Sequence, residues 1–80
     1  MAISGTSRGP SHILIKGRNG AGAITYPSAQ VGDTVFAVVN ITSLGNEGAS
    51  FESRVSVAGQ LQQTSALNLS ANEYWVLAVG

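Results

Sequence analysis

Apolar residues along this 80-residue chain fall into short β-branched runs set apart by Gly, Pro, Asn and Asp, the pattern of strands joined by turns. His12-Ile13-Leu14-Ile15-Lys16 suits a first strand. Residues 17–22 then turn the chain, with Asn19-Gly20 supplying the positive φ angles of a tight hairpin, and residues 23–26 form the returning strand that Pro27 ends. Val31-Gly32-Asp33 is a turn leading into residues 34–42, the most strand-like stretch of the chain. Residues 49–57 alternate, with Phe51, Val55 and Val57 on one side and Glu52, Arg54 and Ser56 on the other, as in a half-buried strand. Residues 60–63 form a short edge-like strand and residues 73–79 a last strand. Between them Ser70 and Glu73 match a helix capping box, with room for one helical turn at most. About six short strands of this kind predict an all-β fold, a small antiparallel β-sandwich or barrel.

Two strands break the usual half-wet pattern. Residues 34–42 and 73–79 are apolar on both faces, whereas one face of each strand in a two-layer antiparallel domain should be polar. Val35, Val39, Ile41, Trp75, Leu77 and Val79 join Phe51, Val55 and Val57 as the expected core. Phe36, Val38, Asn40, Tyr74, Val76 and Ala78 mix apolar area with an amide and a phenol, which is the composition of a protein interface. A barrel would instead hide both faces internally.

Composition strengthens the expectation of association. A single small domain over residues 12–80 lies near the size at which disulfides, a metal or partner subunits supplement the core. Cysteine is absent, and one histidine with four scattered acids offers no metal cage, so partner subunits remain. Charged residues are 10% of the chain, few for a surface meant to stay solvated alone. Arg8, Lys16 and Arg18 fall within residues 1–32, while residues 33–80 hold Arg54 alone against Asp33, Glu47, Glu52 and Glu73. Such poles favour head-to-tail contacts or contacts with a charged neighbour, but are too sparse for a nucleic-acid footprint. No apolar run approaches the about 20 residues of a membrane span, and no secretory-signal pattern opens the chain. Residues 1–11, broken by Gly5, Gly9 and Pro10, form an extended N-terminal arm whose handles for a partner are Ile3 and Arg8.

Candidate chemistry is thin. His12 is the only histidine, sits beside an apolar run and has no Gly-x-Ser-x-Gly elbow to serve. The four acids flank turns or point outward, the expected places of solvated carboxylates. Lys16 to Gly22 is basic and glycine-rich, but lacks the ending of a P-loop; a hairpin tip is favoured over an anion cradle. Gln60, Gln62 and Gln63 read as an exposed polar strand, with hydrogen bonding to sugars as the competing use. The chain is thus expected to be no enzyme, with no catalytic, cofactor or metal residues.

The pattern Val31-Gly32-Asp33-x-Val35, then Phe51-Glu52-Ser53-x-Val55-x-Val57, Leu61-Gln62-Gln63-Thr64-Ser65-Ala66 and Leu69-Ser70-Ala71 resembles short all-β virion proteins of tailed bacteriophages. The likeness spans residues 31–80. It implies a structural protein of the virion, made in the host cytoplasm. As a capsid cement or decoration protein it would bind the major capsid protein or another virion protein, often as a trimer. A tail component, or a small β-type ligand or carbohydrate-binding module using Trp75, Tyr74 or the glutamines, are the alternatives.

Overall fold

The structure is a computed structural model and describes residues 9–80. The arm handles Ile3 and Arg8 lie outside the described residues. The first strand begins earlier than the sequence suggests: β1 spans Pro10–Lys16, taking the end of the expected arm into the domain. It is followed by β2 (Gly22–Thr25), β3 (Thr34–Asn40), β4 (Gly45–Asn46), a 3-10 turn at Gly48–Ser50, β5 (Gln60–Gln63) and β6 (Glu73–Val79). All pairings are antiparallel, in a four-stranded sheet ordered β1-β6-β3-β4 and a two-stranded sheet of β2 and β5. The fold is a small open sandwich, not a closed barrel.

Residues 17–22 do not close a hairpin between β1 and β2. Lys16 pairs instead with Glu73, and Thr25 with Gln60, so the two strands enter different sheets. Gly17 makes this crossing possible, because a Cβ there would stand 2.4 Å from the Leu69 carbonyl oxygen. Residues 49–57 are not a regular strand either. After the 3-10 turn they run as a seam between the sheets, with bridges Phe51↔Gln63 and Thr34↔Arg54 and bonds from Val35 N–H to the Ser53 carbonyl and from Glu52 N–H to the Gln62 carbonyl. Phe51 and Val55 still enter the core, while Val57 is exposed. The capping-box stretch forms no helix, since Ser70 Oγ donates to Asn68 Oδ1 at 2.6 Å and Glu73 already begins β6. The turn before β3 forms as expected, with Asp33 N–H donating to the Gln30 carbonyl and Gly32 at φ 93°, a value only glycine adopts readily.

The faces of the four-stranded sheet are the reverse of the expected assignment. Val38, Asn40, Tyr74, Val76 and Ala78 are buried, in a core with Ile15, Tyr26, Ala29, Phe51, Val55, Leu61 and Leu69. They are therefore no interface. Val39, Trp75, Leu77 and Val79, expected inside, lie half-buried on the outer face, and Ile41 is exposed at the end of β3. Asn40 and Tyr74 suggested a partner because their polar atoms need one; that partner is internal. Asn40 Nδ2 donates to Glu47 Oε2 (3.0 Å), Asn40 Oδ1 accepts from the Thr42 and Ser43 amides, and the Tyr74 hydroxyl donates to Glu47 Oε1 (3.4 Å).

Phe36 departs from its set. Val35 pairs with Ala78 and Ala37 with Leu77, leaving Phe36 as the extra residue of a β-bulge. The extra residue shifts the alternation by one, so Val35 packs against the core and Phe36 turns out, 71% exposed.

Candidate functional site

Cross-strand partners in an antiparallel sheet point to the same side. The register therefore orders the outer face into rungs across β1, β6 and β3: Pro10, Val79 and Thr34; His12, Leu77 and Ala37; Leu14, Trp75 and Val39; and, at one end, Lys16 opposite Glu73. Leu14 is 58% exposed, and the His12 ring stacks beside that of Trp75, centroids 6.0 Å apart and planes 29° from parallel. The second sheet contributes Leu61, and Ile24 packed against it, to the opposite side of this sheet. The middle of the outer face is thus a band of Leu14, Trp75, Val39 and Leu77, with Lys16 and Glu73 on the last rung and Arg54, the bridge partner of Thr34, beside the first. A continuous apolar band on a solvent-facing sheet is the chemistry of an association surface.

One signal in the sequence marks this face. Along β1, Ile13 and Ile15 alternate with His12, Leu14 and Lys16, and the two polar members show that the even phase points to solvent. Once β1 pairs with β6, Trp75 follows Leu14 outward.

The other candidates serve the fold. Gln63 is 1% exposed, not an exposed polar position. Its Oε1 accepts from the Arg18 amide at 2.8 Å, and its Nε2 lies 3.0–3.2 Å from the carbonyls of Arg18, Gly20, Ser65 and Leu67, tying the loop after β1 to the loop after β5. Leu61 two positions earlier is in the core, and this period-two relation is the sequence signal for a buried Gln63. Gln62 Nε2 donates to Gln60 Oε1, so the three glutamines offer no shared ligand edge.

Three amides of the glycine-rich loop are likewise engaged within the fold. The amides of Gly17, Arg18 and Gly20 go to Asn72 O, Gln63 Oε1 and Leu67 O, and the Arg18 guanidinium bonds the carbonyls of Gly20 and Ala21. Asp33, expected to be solvated, is buried, and its Oδ2 accepts from the Gln30 amide at 3.0 Å. Glu52 binds the Gln62 amide and the Ser56 hydroxyl. Glu47 accepts from Asn40 and Tyr74, and Tyr74 also packs edge-on to Phe51 with centroids 5.0 Å apart. Burial pushes the Tyr74 phenol above its ordinary value, the nearby Glu47 carboxylate adds to this, and the contact with Asn72 opposes it.

Among the described residues no three His, Cys, Asp or Glu side chains are grouped to hold a metal ion, no internal cavity is found, and no helix is long and apolar enough to cross a membrane. Comparison of the chain with protein-family models, with curated proteins and with solved structures finds no match.

Proposed function

We propose that this protein is a structural component of a bacteriophage virion: a non-catalytic cement or decoration subunit that binds the capsid and stabilises it as a homo-oligomer. The observation that carries the proposal is the outer face of the four-stranded sheet, where Leu14, Trp75, Val39 and Leu77 present apolar area that is favourable only when covered. The resemblance of residues 31–80 to short all-β virion proteins supplies the setting.

A ligand-binding role has one observation on its side, the placement of Trp75 outside the core and stacked on His12. Its rung partners are Leu14 and Val39, however, and a sugar site needs several convergent polar groups beside the ring, where His12 stands among apolar neighbours.

The test uses tailed-phage particles assembled with and without the chain. The full chain is expected to co-sediment with particles that lack it, to appear as ordered density on the capsid shell, and to raise the temperature at which the shell opens. Particles that never bind it, or that open at the same temperature either way, overturn the assignment. Density on the tail instead replaces the capsid role with a tail role.

A further inference from the structure

The outer face is self-complementary, and we infer that its occupant is a second copy of this chain, packed sheet on sheet about a two-fold axis parallel to the strands and midway between β1 and β6. The inference deepens the assembly reading by naming what covers the face.

The charges single out this geometry. Lys16 and Glu73 occupy one rung, one on each of two neighbouring strands. A two-fold axis between those strands lays β1 of one copy over β6 of the other. Lys16 then meets the partner's Glu73 and Glu73 meets the partner's Lys16, so each charge faces its opposite. The same operation seats the smaller Leu14 on the partner's Trp75 and His12 on the partner's Leu77. The formal net charge of zero leaves no overall repulsion between copies.

The size of the face sets the strength. The overlap is limited to β1 and β6, because β3 of each copy lies beyond the partner's β1 edge. Strands of seven residues are about 23 Å long, and two strands with their side chains are roughly 15 Å wide. Each copy therefore offers roughly 350 Å², and a pair buries on the order of 700 Å², the size of a weak, transient contact. Such a pair is reversible, with dissociation on the order of hundreds of micromolar.

The test is the mass of the full chain in solution. Sedimentation across about 10 μM to 3 mM, the decades around that dissociation constant, is expected to run from the 8.2 kDa monomer to a dimer. Emission of the single tryptophan, Trp75, should shift to the blue with the same midpoint. Leu14→Glu, at an exposed position, should keep the circular dichroism of the fold and abolish the dimer. K16E and E73K should each weaken pairing on the order of tenfold by setting like charges opposite one another, and mixing the two variants should restore it, because the unlike rungs then meet across the interface. A monomer at every concentration, a trimer, a dimer indifferent to Leu14→Glu, or no gain on mixing K16E with E73K overturns the inference. Particle binding is read separately: a dimer that ignores phage particles sinks the virion role and keeps the interface, while a monomer that binds them does the reverse.

Discussion

The inward rung Ile15, Tyr74 and Asn40 and the outward rung Leu14, Trp75 and Val39 lie one residue apart on the same three strands. By residue type the outward rung is the more apolar, yet the inward one is buried. Tyr26, Phe51, Val55, Leu61 and Leu69 wait on the inward side, and Glu47 supplies the acceptor that the Asn40 amide and the Tyr74 hydroxyl need. Burial thus followed the availability of partners, apolar and hydrogen-bonding, more than the polarity of the side chain itself.

The largest contrast should come from a charge on each face. Val76→Asp places an unpaired carboxylate in the core, and its cost of several kcal/mol rivals the about 4–12 kcal/mol that holds together a domain of this length. Circular dichroism should show an unfolded chain. Leu14→Asp should melt within a few degrees of the parent at concentrations where the chain is monomeric; equal damage from both would erase the distinction between the faces.

The two phenylalanines sharpen it next. Phe51 is 4% exposed and packs on Tyr74, so Phe51→Ala should cost about 3–4 kcal/mol in urea unfolding. Phe36→Ala, at the bulge, should cost under about 0.5 kcal/mol. A large loss at Phe36 would mean that the bulge does not turn it outward.

A smaller version of the same contrast is expected on β5. Gln63→Glu sets a carboxylate among four carbonyl oxygens and should cost about 2–3 kcal/mol, whereas Gln62→Glu should stay within about 0.5 kcal/mol. Chemical denaturation of both variants decides it.

The smallest effect is a pH slope. Because the Tyr74 pKa is raised in the folded state, its contribution is fully present below the unfolded phenol value of about 10 and is lost as pH rises through the folded value. Melting temperatures should fall above about pH 10, and Tyr74→Phe should flatten that fall. An unchanged slope in the variant would place the alkaline sensitivity elsewhere.

Local pattern was enough to reveal most strands and their flanking turns. Residues 34–40, 60–63 and 73–79 are strands because β-branched and alternating residues suit a pleated surface, and the turn ending at Asp33 needs a glycine where Gly32 stands. The doubled apolar pattern of β3 and β6 was also legible, and with it the expectation that one sheet face seeks a partner. Which face of these strands is buried depends on phase, and a period of two carries no phase of its own. Phase came from contacts far apart in sequence: Tyr74 against Phe51, and β1 beside β6 rather than β2. The bulge at Phe36 and the burial of Gln63 and Asp33 have the same origin. In each case a distant strand or loop supplied the pairing or the hydrogen-bond partner, and no short window of the chain contains it.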